Sequence, residues 1–276
     1  MKVHALQTGT VLVRTRQREG SGRGPLRALN TMLDRQWTEP LPILAWAIEH
    51  PEGVIVVDTG ETARAAQPGW FPRWHPYFRL AVRVSVTSDQ EIGPALRATG
   101  LDPDAVRWVV LTHLHTDHAG GLDHFPRAEV LVSRTEYEAA RGFAGKVRGY
   151  LPHRWPAGFA PRLVDMPGVP FGPFERSIAL TQAGDVRVVA TPGHTPAHVS
   201  VVLAEDEGFV FFAGDTSYDE RLMLAGAVDG VAPDPAVARD TIERIRRFAH
   251  EERVVYLPAH DPAAAARLAA RRPAAA

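Results

Sequence analysis

Residues 113–118 read His113-Leu114-His115-Thr116-Asp117-His118, three imidazoles and a carboxylate within one short loop. Crowded together, such groups repel once protonated and cost desolvation if buried, and a bound cation converts that liability into attraction. The run follows an apolar stretch, Val109-Val110-Leu111, so it sits at the end of a strand. Three more strand-like runs end on a possible ligand. Val188-Val189-Ala190 leads through Thr191-Pro192-Gly193 to His194, Phe211-Phe212-Ala213-Gly214 leads to Asp215, and Val254-Val255-Tyr256-Leu257 leads to His260. Gly193 and Gly214 are expected to let the backbone turn tightly just before their ligands. His113, His115, Asp117, His118, His194, Asp215 and His260 are too many for one tetrahedral zinc and suit two metals sharing a carboxylate.

The elements that must position these residues follow from periodicity and punctuation. Strands are expected at 3–13, 43–49, 54–57, 106–111, 129–132, 178–181, 186–190, 199–203, 209–213 and 254–257, with the second and third paired as a hairpin across His50-Pro51-Glu52-Gly53. Helices are expected at 90–99, 134–141 and 235–249, with a closing helix after the last strand that runs to about 270. Residues 14–40, Gly- and Arg-rich near Gly20-Ser21-Gly22-Arg23-Gly24, read as a loop with a short helical turn and a possible dimerisation arm. The alanine-rich tail, 271–276, is expected to fray. Runs of strands punctuated by helices, without regular βαβ alternation, predict an α/β (α+β) fold of two packed mixed sheets flanked by helices. No linker separates independent folding units, so residues 1–276 are expected to form a single domain.

Composition narrows the partners. Net charge is −1, which excludes a broad basic field for nucleic acid or an anionic membrane surface. Cysteine is absent, so any metal must be held by nitrogen and oxygen. The start of the chain lacks the apolar core of a signal peptide and no run reaches membrane-spanning length, giving a cytoplasmic enzyme as the default.

The ligand pattern His-x-His-x-Asp-His, followed by Gly193-His194, Gly214-Asp215 and a late His260, resembles the metallo-β-lactamase superfamily. Val57-Asp58-Thr59-Gly60 and Thr191-Pro192-Gly193-His194-Thr195-Pro196 are similar to its connecting motifs, and the resemblance runs from about Ile43 to His260. It implies an αββα sandwich with a dinuclear site, usually zinc, with iron, cobalt or manganese as alternatives. By that analogy His113, His115 and His194 hold one metal, Asp117, His118 and His260 the other, and Asp215 bridges. His115 stands where the similar flavodiiron proteins carry Glu, and Asp215 is absent from true β-lactamases. Both features leave hydrolysis of a small neutral ester-like substrate.

Tyr218, three residues past the bridging carboxylate, matches the spacing of a Tyr in N-acyl-homoserine lactonases, and His118-Ala119-Gly120-Gly121 also looks like theirs. The resemblance therefore favours ring opening of an N-acyl-homoserine lactone or a related lactone. In that scheme a hydroxide shared by two cations about 3.5–4 Å apart attacks the carbonyl. Tyr218 then donates to the oxyanion, and Asp117 shuttles the proton to the leaving alkoxide. Otherwise Tyr218 is a packed aromatic. The alternatives are another ester or thioester hydrolase of the glyoxalase II kind, an organophosphate hydrolase, and a noncatalytic protein that keeps metal for stability. A thioesterase needs a basic substrate pocket, for which only Arg267, Arg271 and Arg272 are at hand. Asp58 is expected to orient the histidine loop and His198 to be structural. His4, His50, His75, His124, His153 and His250 have no ligand context. The aromatic segment from Trp70 to Phe78 either walls an acyl-chain pocket or packs under a loop or at a dimer contact.

Overall fold

In the computed structural model residues 1–22 and 26–275 are described; residues 23–25 of the Gly/Arg-rich stretch and 276 of the tail lie outside the described residues. Two compact units emerge, Met1–Arg14 with Arg35–Val164, and Thr15–Asp34 with Asp165–Ala276. The excursion Thr15–Asp34 carries helices α1 (Thr15–Glu19) and α2 (Leu26–Leu33). Its helical content exceeds the single turn expected within 14–40. Leu-Arg-Ala-Leu-Asn-Thr-Met-Leu is rich in good helix formers (Leu, Arg, Ala, Met), hidden beside a glycine-rich stretch.

The first unit is built on β1 (Lys2–Val13), β2 (Leu41–Glu49), β3 (Val54–Val57), β4 (Val82–Ser85), β5 (Val106–Val110), β6 (Glu129–Ser133) and β7 (Arg162–Val164). They form one sheet in the order β4-β1-β2-β3-β5-β6-β7. The β2–β3 hairpin is antiparallel as expected, whereas β3, β5, β6 and β7 run parallel. Parallel neighbours need crossovers. These are supplied by α3 (Pro76–Leu80) and α4 (Ile92–Ala98), by the one-turn α5 (Thr116–Ala119), and by α6 (Arg134–Ala140) with α7 (Gly142–Val147). Ala45, Ala47, Val56, Val109 and Leu111 pack with Ile92 and Leu96 of α4 in a buried core. The sequence reading missed β4 and β7. One is a four-residue edge strand and the other three residues inside a Pro/Gly-rich crossing, both too short to show a period.

The second unit carries β8 (Ser177–Ala179), β9 (Val186–Ala190), β10 (Val199–Glu205), β11 (Gly208–Gly214) and β12 (Val254–Pro258), in the order β12-β11-β10-β9-β8. Only the β11–β12 pair is parallel. Its crossover contains α8 (Glu220–Leu224) and α9 (Pro235–Glu251), and α10 (Ala264–Ala269) follows β12. Helix α9 starts where the Asp234 carboxylate caps the amides of Ala236 and Val237, and it buries Ala238, Ile242, Ile245 and Phe248 at helical spacing. Phe248 meets Phe171, Phe174 and Phe209 at ring separations of 5.8, 5.7 and 5.1 Å. Two mixed sheets with flanking helices are the fold class the sequence predicted.

The tail corrects another expectation. Ala274 is buried in the second core and its N–H donates to the Val254 carbonyl at 2.8 Å, while Arg271 pairs with Glu205 at 2.8 Å and Arg272 with Glu220 at 3.0 Å. A small apolar side chain plus two ion pairs anchors what composition alone marks as frayed. Among the described residues no helix is long and apolar enough to cross a membrane.

Candidate metal centre

In the first unit the histidine loop leaves the C-terminal end of β5, beside the C-terminal end of its parallel neighbour β3. Such strand ends are the usual site of ligands on parallel sheets. Asp58, the first residue after β3, adopts a left-handed backbone with φ 59° that few residues other than Gly, Asn and Asp accept. Its amide donates to the Val110 carbonyl at 2.9 Å, and its carboxylate accepts from the Thr112 amide at 2.8 Å. The other carboxylate oxygen lies 2.8 Å from His118 Nδ1, so Asp58 orients the histidine loop as expected. His118 and His113 are fully buried with ring centres 4.1 Å apart, and His113 Nε2 lies 3.0 Å from His115 Nδ1. Asp117 enters on the single turn of α5.

Two residues in this unit had no sequence signal beyond their type. Buried Glu136, on α6, accepts from the Leu114 amide at 3.3 Å and from the Tyr150 hydroxyl at 2.8 Å, and the Tyr150 ring lies 5.1 Å from that of His115. Burial pushes the Glu61 carboxyl, just after the Asp58-Thr59-Gly60 turn, up to about 7.

In the second unit His194, Asp215 and His260 converge. Asp215 lies between two imidazoles, one oxygen 3.4 Å from His194 Nε2 and the other 3.4 Å from His260 Nε2. Each ring is therefore faced by a different carboxylate oxygen. Gly214 turns with φ 54° to present Asp215, as the sequence suggested. Gly193 does not turn through a positive φ; a Cβ there would come within 2.9 Å of Ala238 Cα, so its role is the close approach of α9. His198 is structural, as expected: its Nε2 accepts from the Asp215 amide at 3.1 Å and its Nδ1 lies 2.9 Å from Thr191 Oγ1.

Asp229 is the residue sequence reasoning missed here. One carboxylate oxygen lies 3.1 Å from His194 Nδ1, and the other accepts from the amides of Val231 and Ala232 at 2.8 and 2.7 Å. It lies in a loop, thirty-five residues past its histidine, so no local pattern points to it.

Tyr218 is buried, stacks on His260 with ring centres 5.6 Å apart, and accepts a hydrogen bond from Gln17 Nε2 at 2.8 Å. Its turn is pinned by the Tyr256 hydroxyl, 2.7 Å from Thr216 Oγ1 and 2.9 Å from Ser217 Oγ, and burial holds that phenol far above its ordinary value. After His260, Asp261 and Glu220 both engage the buried Arg267 guanidinium. With Arg271 and Arg272 paired as well, none of the three arginines is left to form a basic thioester pocket. The aromatic segment divides: Trp70 is buried with Arg154 and Arg64 over its ring, while Trp74 is 54% exposed and stacks on Phe143, itself 75% exposed.

A sequence profile described as the metallo-beta-lactamase superfamily matches residues 38–260. The N-acyl homoserine lactonase AiiA of Bacillus thuringiensis subsp. kurstaki is 29% identical over 224 residues, which cover 80% of this chain and 82% of AiiA. A solved N-acyl homoserine lactone hydrolase, with the product N-hexanoyl-L-homoserine at its catalytic metal centre, superposes with a TM-score of 0.76 at 23% identity. That superposition covers 95% of this chain and 93% of the other. AidC, a dizinc quorum-quenching lactonase in complex with a product, superposes with a TM-score of 0.63 at 15% identity over 94% of this chain and 87% of AidC.

Proposed function

The chain belongs to the metallo-beta-lactamase superfamily, and from that premise we propose that it is a dinuclear-metal lactonase opening an N-acyl-homoserine lactone or a related lactone. The observation that carries the reading is the donor set. In the first unit His113, His115, Asp117 and His118 crowd one loop, and in the second His194, Asp215 and His260 converge. By the resemblance these seven residues make up the two ligand sets given above, and Asp215 has an oxygen toward each of its histidines. The chemistry of the donors fits divalent zinc, with iron, cobalt or manganese as alternatives: imidazole and carboxylate only, with no thiolate. Asp58 and Asp229 each take the Nδ1 side of one histidine, which selects Nε2 as the ligand atom of His118 and His194.

A bound pair of divalent cations would supply an activated water and polarise the lactone carbonyl. The rest falls to side chains. As the water oxygen adds to the carbonyl carbon, Tyr218 donates a hydrogen bond to the developing oxyanion, a contribution of roughly 3 kcal/mol in comparable sites. The ring carbon–oxygen bond then breaks, and Asp117 carries the proton from the attacking water to the departing alkoxide, giving the hydroxy acid. AiiA and the two superposed structures, named as lactonases or a lactone hydrolase, support this choice within the superfamily. The engagement of Arg267, Arg271 and Arg272 by carboxylates argues against the thioesterase alternative. Homodimerisation through residues 14–40 belongs to the same proposal. It is supported by the exposed leucines at 26, 29 and 33 of α2, and Leu29→Glu should yield a monomer by sedimentation.

The test is a panel of acyl-homoserine lactones, simple γ- and δ-lactones, a thioester and an organophosphate, assayed with zinc-loaded protein. Lactones should be turned over fastest. Preference for the thioester or the organophosphate would replace this reading by its superfamily alternative, and no turnover at all would leave a structural metal site.

A further inference from the structure

We propose that Gln17, on α1, is a positioning residue that sets the direction of the Tyr218 phenol proton; the proposal rests on the reading of Tyr218 as the oxyanion donor. Gln17 is 201 positions away in sequence yet buried, with its side-chain amide donating to the Tyr218 oxygen at 2.8 Å. A phenol oxygen that accepts an N–H there cannot spend its own proton on the same partner. The proton is directed elsewhere, and the incoming N–H stabilises negative charge on the oxygen, making the O–H a stronger donor. Stacking on His260 fixes the plane of the ring, and the Gln17 N–H bears on the hydroxyl oxygen itself.

The backbone that carries the glutamine is held on both sides of it. The Gln17 backbone carbonyl accepts from the Gly230 amide at 2.6 Å, the Arg16 amide donates to Asp34 at 2.8 Å, and the Arg18 side chain pairs with Asp219 at 2.7 Å. Asp219 is the neighbour of Tyr218, and Gly230 is the neighbour of Asp229, which holds His194. One short helix therefore fastens both the phenol turn and the loop behind a metal-ligand histidine.

The experiment is a double-mutant cycle on the full zinc-loaded chain, with Gln17→Met and Gln17→Glu in wild-type and Tyr218→Phe backgrounds. Gln17→Met keeps the length and removes the donor. In the wild type it should lower kcat about tenfold, the size of one net hydrogen bond, with KM little changed. In the Tyr218→Phe background it should cost nothing further. Gln17→Glu offers only acceptors, draws the phenol proton to itself, and should lower kcat to the Tyr218→Phe level. It also serves if Gln17→Met folds poorly. Equal losses in both backgrounds, or no loss in the wild type, would overturn the positioning role while leaving Tyr218 intact. A silent Tyr218→Phe would overturn the Tyr218 reading and the role of Gln17 with it.

Discussion

Asp229 offers the sharpest test of how the second unit prepares its ligands. Its two carboxylate oxygens do different things: one faces His194 Nδ1 at 3.1 Å and the other accepts two backbone amides at 2.8 and 2.7 Å. Asp229→Asn can keep the oxygen that holds the turn while placing an amide NH2 against the imidazole. Donor then meets donor, and the ring relieves the clash by moving its proton to Nε2, the atom needed for metal. Losing such an outer partner costs about 10- to 100-fold in metal affinity, or ~1.4–2.7 kcal/mol. Asp229→Ala should lose that and also destabilise the metal-free chain, by about 1 kcal/mol for each turn hydrogen bond. Zinc competition against a chromophoric chelator reads the affinity, and urea unfolding of the metal-free protein reads the fold. If Asp229→Asn binds zinc as tightly as the wild type while the chain stays folded, the argument that the carboxylate selects the His194 tautomer is wrong.

Glu61 carries a pH signature in the metal-free chain. Its carboxyl rises from 4.5 to about 7 through burial, so the folded chain holds a proton that the unfolded chain releases, and stability should fall as pH rises through that window, by ~3 kcal/mol. Glu61→Gln, neutral throughout, should flatten the decline in urea titrations between pH 5 and 8; parallel curves would exclude the assignment. Arg267→Met strips a buried guanidinium from Asp261 and Glu220 and should cost about 3–5 kcal/mol of stability by the same titration. A loss below about 1 kcal/mol would mean those carboxylates find water or protons instead. Trp74→Ala, at an exposed ring, should leave the melting temperature unchanged and raise KM for long acyl chains more than for short ones; equal changes across chain lengths would remove the segment from the acyl pocket.

The candidate ligands were legible in the sequence because metal chemistry demands particular donors, and a strand followed by a turn that ends on one is a local pattern. The two-sheet class, the β2–β3 hairpin and the roles of Asp58 and His198 follow from the same local regularities. Short strands such as β4 and β7 escaped because too few residues repeat to show a period, and α2 was hidden beside glycines. The supporting partners were illegible for a different reason. Asp229 reaches His194 from thirty-five positions away, Gln17 reaches Tyr218 from 201, and the Ala274 amide meets the Val254 carbonyl only after the chain returns along β12. A carboxylate or an amide in a loop looks the same whether it faces solvent or an imidazole. Composition and spacing name the atoms that can bind, whereas the protons those atoms carry and the directions they face depend on contacts that exist only once distant segments are packed.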